Sequence, residues 1–239
     1  MDHHIHLPTT VQYVATDRKN IEQVVVTPCS QGYGTTLGNA FRRVLLSSLP
    51  GAAVEAVKIA GVQHEFSAVD GVQEDMIEII LNLKQLAVRV HSAEPVTLTL
   101  QKKGKGPITA KDFDKNADVD IANDDMVIAT LTDDKKEFNM EIIVAQGQGY
   151  VPVAQRNTKH LDLGTIAIDA LYTPIRDVGY TVEMTRVGDV TNFEKLILTV
   201  ETDGTITPKE AIEQATSILM DHLVLLMGGT EDDTEEVKT

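Results

Sequence analysis

The stretch GTTLGNAFRRVLLSSLPG, residues 34–51, carries the clearest folding signal in the sequence. Its apolar residues recur with helical spacing at positions 37, 40, 41, 44, 45 and 49, and Pro50-Gly51 ends the pattern. The spacing predicts a helix over residues 35–49. Glycines at 32, 34 and 38 surround its start without a P-loop ending or a GxGxxG spacing. We therefore expect them to permit a tight turn and close packing of the helix.

The two sides of this helix differ in chemistry. With Leu37 at zero and about 100° per residue, Phe41 lies near 40° and belongs to an apolar stripe that predicts the core-facing side. Arg42, Leu46 and Arg43 lie near 140°, 180° and −120°, on the far side. A solvated face with one stray leucine fits this pattern. A protein–protein contact surface also fits it, because such surfaces are enriched in arginine around apolar anchors.

A second strong helix signal lies near the end of the sequence. Thr207-Pro-Lys-Glu210 is a capping box with proline at the first helical position, and the pattern continues to Met227. From residue 218 to 227 only Asp221 and His222 are polar. A helix that is apolar around most of its circumference is either buried inside the fold or packed against a second chain.

The remaining segments predict an α+β fold. Residues 11–15 and 21–27 indicate a hairpin before the first helix, residues 52–66 a second hairpin, and residues 72–86 another helix. Between residues 87 and 153 short β-branched runs alternate with turns, and the runs YTVEM and KLILTV predict a further strand pair.

Composition excludes several classes of function. The 239 residues include 36 Asp and Glu against 21 Lys and Arg, and a net charge of −15 disfavours a nucleic-acid-binding surface. The single cysteine, Cys29, cannot form an internal disulfide, which favours a reducing compartment. The sequence contains no secretory apolar region and no apolar window long enough to span a membrane. We expect a soluble cytoplasmic protein with no membrane contact.

One acidic run invites a metal-binding hypothesis. Asp112, Asp114, Asn116, Asp118 and Asp120 space oxygen atoms like the start of a calcium loop, but Ala117 and Asn123 replace the required glycine and glutamate. A stand-alone calcium- or metal-binding protein using Asp112–Asp120 is therefore the alternative function, and a carboxylate-rich surface loop is the structural alternative. We predict neither a metal site nor catalytic residues in this chain, which favours a binding or scaffolding protein.

Several blocks of the sequence together resemble one family. These blocks are Gly34–Gly51, GVQED (71–75), LNLK (81–84), GYVP (149–152), DALYTP (169–174) and ETDGT (201–205). In content and order they closely resemble the N-terminal assembly domain of the bacterial DNA-directed RNA polymerase alpha subunit. The resemblance covers roughly residues 20–227.

The resemblance implies a homodimeric, non-catalytic scaffold on which the beta and beta-prime subunits assemble. It implies a discontinuous dimerisation subdomain, a sheet plus two helices, over residues 1–50 and 167–229. It also implies a mostly β insert over 51–166. Residues 230–239 are then a disordered acidic tail or the start of a linker.

The resemblance also assigns roles to residues. It implies a dimer interface on the first and last helices, here Leu37, Phe41, Leu45, Leu219, Leu223 and Leu226. Contacts with the large subunits are implied for Arg42, Arg43, Leu46, Lys84 and Ile168.

The family's chemistry also implies what this chain lacks. The polymerase is a nucleotidyltransferase whose magnesium is held by another subunit, so we expect no cofactor on this chain. The family's DNA-reading domain follows the assembly domain, so we expect no direct nucleic-acid contact from this segment. Gln148-Gly149 stands where the family usually has Arg-Gly, so an anionic contact at that position is not carried over.

Overall fold

The computed structural model describes residues 5–158, 161–188 and 190–227. Within these residues the chain forms three helices: α1 (Tyr33–Ser47), α2 (Met76–Leu83) and α3 (Pro208–Leu226). The strands, in chain order, are β1 (Thr10–Ala15), β2 (Ile21–Cys29), β3 (Pro50–Ile59), β4 (Val88–Val90), β5 (Val96–Lys103), β6 (Gly106–Thr109), β7 (Val119–Ile121), β8 (Val127–Leu131), β9 (Glu137–Gln148), β10 (Tyr150–Val151), β11 (Ile166–Ala167), β12 (Ala170–Leu171), β13 (Ile175–Val187) and β14 (Val190–Thr202). The antiparallel sheets and separate helices confirm the predicted α+β class.

The chain folds as two compact units, and the first is discontinuous in sequence. It combines residues 1–49 with 175–239, whereas the second comprises residues 50–174. The second boundary therefore follows Pro174 rather than Ile166, because β11 pairs with β3 and keeps the chain in the second unit. The N–H of Ile168 also donates to the carbonyl of Glu55 at 2.7 Å. The predicted tail, residues 230–239, lies outside the described residues.

The first unit is built on a four-stranded antiparallel sheet in the order β1-β2-β14-β13. The predicted hairpin before the first helix is β1–β2, and the predicted later strand pair is β13–β14, so both are confirmed. Side chains of the sheet, α1 and α3 form one core, which consists of Val24, Cys29, Leu45, Leu49, Ile175, Val178, Leu196, Leu198, Val200, Ala211, Ile212 and Ala215.

Helix α1 lies close against β13 because two glycines face the strand. A Cβ atom added at Gly38 would stand 2.5 Å from Cδ2 of Tyr180, and one added at Gly34 would stand 3.0 Å from Cγ1 of Val182. Both positions therefore need glycine. Gly32, at the start of the helix, has φ +85°, a value that side chains disfavour. The expected tight turn and close packing are confirmed.

Arg42 continues this line of contacts along the helix. Its Nε–H donates to the carbonyl of Val178 at 3.0 Å. Positions 34, 38 and 42 are spaced four residues apart and so share one helix face. Leu45 and Gly38, both buried, lie near 80° and 100° on the helical wheel, while Leu37 and Phe41 pack partly buried against the same core.

Helix α3 begins as the sequence predicts. The Glu210 N–H donates to Oγ1 of Thr207 at 3.2 Å, and the Thr207 N–H donates to Oε2 of Glu210 at 2.8 Å. These bonds satisfy two amides that a helix start otherwise leaves without partners. No helix among the described residues combines the length and apolar character needed to cross a membrane.

The second unit contains a four-stranded antiparallel sheet in the order β11-β3-β9-β5. The pairs β4–β7, β6–β8 and β10–β12 form smaller sheets. The hairpin predicted over residues 52–66 is wrong, because β3 pairs with β9 and β11, while Gly61 (φ +85°) lies in the turn that follows.

Helix α2 is shorter than the predicted span of 72–86. Asp75 caps it, because its Oδ1 accepts the Glu78 N–H at 2.8 Å. The residues before the cap bind β8 instead. The Gln73 N–H donates to the Thr130 carbonyl at 2.9 Å, and both Glu74 carboxylate oxygens accept hydrogen bonds from Thr130.

The contact between α1 and β13 makes a testable prediction. In Gly38→Ala the new methyl group collides with the Tyr180 ring, which should cost about 1–3 kcal/mol of unfolding free energy. This exceeds the roughly 1 kcal/mol that alanine gains over glycine in a helix. Gly179→Ala on β13 is the matched control, since its Cβ would meet no atom within 4 Å. Urea unfolding of both variants measures the difference, and an unchanged midpoint for Gly38→Ala would contradict the close contact.

Candidate functional site

An apolar groove lies in the first unit where α1 and α3 cover one face of the sheet. Leu37 and Phe41 of α1 are half-buried and line it, so the structure places both at an accessible surface. The groove has a volume of about 410 Å³. Its full lining is Val11, Tyr13, Val24, Val26, Leu37, Phe41, Leu196, Leu198, Ile212, Glu213 and Thr216.

The last two turns of α3 expose a dense set of large apolar side chains. Leu223 is 53% exposed and Leu226 is 84% exposed, while Leu219 is half-buried. Met220, Leu225 and Met227 are also exposed. The start of the helix is different, because Ala211, Ile212 and Ala215 are buried in the core of the unit. A concentrated apolar surface of this kind marks an interaction site.

Leu45 does not belong to an accessible interface. Its side chain is 0% exposed within the single chain, where it packs between α1 and the sheet. In the single chain the Leu45 side chain therefore has no exposed surface to offer a dimer partner. The residue supports the helix from beneath.

The two neighbouring arginines of α1 make different contacts. Arg42 is exposed, and its Nε–H donates to the Val178 carbonyl of β13. Arg43 and Leu46 are exposed. None of the residues that the structure describes hydrogen-bonds to the Arg43 guanidinium. The backbone carbonyl of Arg43 accepts the Ser47 hydroxyl at 2.8 Å. An exposed arginine beside an exposed leucine is the composition of a contact surface.

Lys84 and Asp169 pair on the surface of the second unit. Lys84 Nζ lies 3.6 Å from Asp169 Oδ2. The Val153 N–H donates to Asp169 Oδ1 at 2.8 Å, and this bond is the main reason why the pKa of the Asp169 carboxyl is lower than its ordinary value. Partial burial acts in the opposite direction, while Lys84 and Tyr150 lower the pKa further. This pair joins the end of α2 to the segment between β11 and β12.

Exposed apolar side chains accompany this ion pair. Ile77 and Leu81 are exposed one helical turn apart on α2, whose C-cap residue is Lys84. Tyr150, which helps to lower the pKa of the Asp169 carboxyl, and its strand partner Leu171 are also exposed. We call these four residues with Lys84 and Asp169 the α2 patch. Aromatic and apolar anchors around a charged pair are typical of protein interfaces.

Ile168 does not contribute its side chain to the α2 patch. It is only 2% exposed and packs in the core of the second unit. In the single chain its side chain therefore offers almost no surface to a large subunit. Ile168 instead fixes the backbone that places Asp169 at the surface.

A half-buried ionic network supports this segment, and the sequence analysis missed it. Arg156 Nη1 lies 3.3 Å from Glu55 Oε2, and Nη2 donates to the carbonyls of Glu55 and Ile168. The Tyr172 hydroxyl donates to Glu55 Oε1. Burial, followed by this hydrogen bond, raises the pKa of the Tyr172 hydroxyl far above its usual value. The available signal was Glu55 itself, a single carboxylate within the apolar strand PGAAVEAVKI.

The acidic run 112–120 is engaged by neighbouring side chains. Asp112 Oδ2 accepts hydrogen bonds from Lys102 at 2.6 Å and from the Thr109 N–H at 2.7 Å. Asp114 accepts from Thr99, and Asp120 pairs with His91. Within residues 5–158, 161–188 and 190–227 no three His, Cys, Asp or Glu side chains group to hold a metal ion. Nothing in this geometry favours the alternative calcium-binding function.

Comparisons with known proteins agree on one family. The family model described as "RNA polymerase Rpb3/RpoA insert domain" matches residues 57–173, a range inside the second unit. The chain is 50% identical over 228 residues to the DNA-directed RNA polymerase subunit alpha of Symbiobacterium thermophilum, covering 95% of this chain and 72% of that relative. It is 48% identical over 225 residues to the subunit of the same name from Alkaliphilus metalliredigens, covering 94% and 71%. For Alkaliphilus oremlandii the identity is 51% over 206 residues, covering 86% and 65%.

The network beneath Asp169 makes a second testable prediction. Arg156→Met leaves the Glu55 carboxylate without its cation, and loss of one partner from a buried pair costs roughly 3–5 kcal/mol. Lys58→Met is the control, because Lys58 pairs with Asp162 at the surface and should contribute about 0–1 kcal/mol. Denaturant unfolding followed by circular dichroism compares the two. Adding Glu55→Gln should recover part of the loss, whereas strict additivity would contradict a direct interaction.

Proposed function

Because this chain belongs to the family of bacterial DNA-directed RNA polymerase alpha subunits, we propose that it is the scaffold on which the polymerase assembles. In this proposal two copies form a homodimer through the first unit, and the dimer recruits the beta and beta-prime subunits. The observation that carries the proposal is the apolar end of α3, which is exposed beside an apolar groove in the same unit.

The groove and the exposed end of α3 support self-association because they complement each other. Leu37 and Phe41 line a concave apolar surface, and Leu223 and Leu226 provide convex apolar side chains. A two-fold axis lets each copy insert its α3 end into the groove of the other, so both surfaces are buried twice. Burial of such side chains contributes roughly 1.5–3 kcal/mol each. We assign Leu37, Phe41, Leu219, Leu223 and Leu226 to this interface.

Two further surfaces suit the large subunits. Arg43 and Leu46 stand on the outer side of α1, away from the sheet-facing positions, and so remain accessible while the helix is packed. The α2 patch offers Lys84 and Asp169 with surrounding apolar anchors in the second unit. We propose that Arg43 and Leu46 contact beta and that this surface and the α2 patch together support assembly with beta-prime.

Catalysis is assigned to other subunits in this proposal. The polymerase joins ribonucleotides with magnesium held by another subunit, and no step of that chemistry passes through this chain. The net charge of −15 would repel a nucleic-acid backbone, so we propose that this segment acts by protein contacts alone. The proposed location is the cytoplasm, where transcription takes place.

The proposed dimer gives the third prediction. Leu223→Glu places a charge against an apolar partner surface, which should raise the dimer dissociation constant by roughly 100-fold or more. Leu163→Glu is the control, since Leu163 is a fully exposed leucine of the second unit. Sedimentation velocity should show monomers for the first variant and dimers for the second. A stable Leu223→Glu dimer would place the interface elsewhere.

The outer side of α1 gives the fourth prediction. Arg43→Ala should fold and remain dimeric. Its unfolding free energy should lie within about 0.5 kcal/mol of the parent's, because an exposed arginine contributes little to the stability of its own domain. It should nevertheless fail to bind the beta subunit, since truncating a desolvated interfacial arginine costs about 2–5 kcal/mol of binding free energy. That loss is a factor of roughly 30 to several thousand in affinity. Arg43→Lys should restore capture only partly, because lysine lacks the planar fork.

Arg42→Ala is the matched comparison for this experiment. It removes the donor to Val178 and should destabilise the unit by about 1 kcal/mol. Thermal melting and a pull-down with purified beta subunit separate the two roles. If Arg43→Ala unfolds, or if it captures beta normally, the assignment of Arg43 to the large-subunit contact is wrong.

A further inference from the structure

The start of α1 is capped by a carboxylate from a distant strand. Helix α1 has neither an acidic residue in its first turn nor a side-chain cap of its own, since its N-cap residue is Gly32. Glu194 of β14 supplies the missing acceptors. Its Oε1 accepts the Gly32 N–H at 2.8 Å, and its Oε2 accepts the Gly34 N–H at 2.9 Å. Partners 160 residues and more apart in sequence are thereby joined.

The Glu194 side chain is enclosed where it meets the helix. Glu194 is 8% exposed, one of few buried polar residues among those described. Gly34 permits the contact, because a Cβ atom there would stand 2.8 Å from Glu194 Oε2. The pairing of β14 with β2 shifts register just after Glu194, an irregularity of the kind that redirects side chains in a sheet. A charged acceptor fits this position, because the helix dipole favours negative charge at its start.

Glu194 and Arg42 together determine the position and rotation of α1 on the sheet. Glu194 holds the first turn to β14, and the Arg42 Nε–H holds the third turn to β13. Gly38 lies between these two points and rests on Tyr180. The helix is thus held at three successive turns on one face, which leaves little freedom to rotate or slide. Arg43 and Leu46 project from the remaining surface at a position that these contacts define.

We propose that Glu194 is a positioning residue for the large-subunit contact, acting through the placement of α1. This role rests on the proposed function, since it requires that Arg43 and Leu46 bind beta. A shift of the first helical turn moves Arg43 relative to its acceptor, and charge-assisted forked hydrogen bonds depend strongly on geometry. Loss of Glu194 should therefore weaken beta binding even in a chain that remains fully folded.

The test compares Glu194→Gln with Glu183→Gln. Glutamine has one carbonyl oxygen, so it can accept from one amide while its NH2 group opposes the other. Glu183 undergoes the same chemical change on β13, but its side chain is exposed and pairs with Lys195 across the strand pair. Affinity for immobilised, purified beta subunit is measured well below the melting temperature of each variant. Every chain is then folded, and a purely stabilising role would leave the affinity unchanged.

We expect Glu194→Gln to weaken beta binding roughly tenfold and Glu183→Gln to change it less than about twofold. The amide proton signals of Gly32 and Gly34 should move upfield in Glu194→Gln only, because they lose a charged acceptor. Gly34→Ala provides an independent variant. It keeps the carboxylate but forces it away from the helix, and it should weaken beta binding in the same direction. The double variant should lose less beta affinity than the sum of the losses in the two single variants.

The outcomes separate the inference from the function on which it rests. If the parent fails to bind beta, the proposed function is overturned, and this role of Glu194 falls with it. If the parent binds and folded Glu194→Gln binds equally well, the positioning role alone is overturned. If Glu194→Gln does not fold, Gly34→Ala decides the question, and parent-like binding by that variant overturns the proposal.

Discussion

Gly34 and Gly38 bring the backbone of α1 against β13, with Val182 and Tyr180 occupying the space that side chains would otherwise fill. The rest of the first unit depends on this close approach. It places Leu45 in the core, turns Leu37 and Phe41 toward the groove, and brings the Gly32 and Gly34 amides within reach of Glu194. Because packed interiors tolerate little added volume, one face of one helix organises both proposed contact surfaces of that unit.

In the second unit, an ionic network rather than close backbone packing holds the segment that carries the exposed surface. Glu55 enters an apolar strand, and Arg156 and Tyr172 supply its partners, so the cost of burying the carboxylate is offset. Arg156 also donates to the Ile168 carbonyl, which ties the following residue, Asp169, to a defined position beside Lys84. In both units an internal polar contact therefore supports an exposed surface without taking part in it.

This division explains why some expected contact residues proved to be internal. Leu45 and Ile168 neighbour the accessible residues Leu46 and Asp169 in sequence, but their side chains are buried. A resemblance between sequences points to a segment of the chain. Adjacent residues on a helix or strand face different directions, so the segment alone does not identify the contacting side chain.

The α+β class, the capped start of α3, the β1–β2 and β13–β14 pairs and the family could all be predicted from the sequence, because they depend on local spacing and on colinear motifs. The positions at which α1 comes closest to β13 could not be predicted from the apolar stripe. The helical wheel weights side-chain hydrophobicity, and glycine contributes none although it marks the closest approach. Tertiary structure also decided the Glu194–Gly34 and Glu55–Arg156 contacts. Their partners lie far apart along the chain, and only folding brings them together.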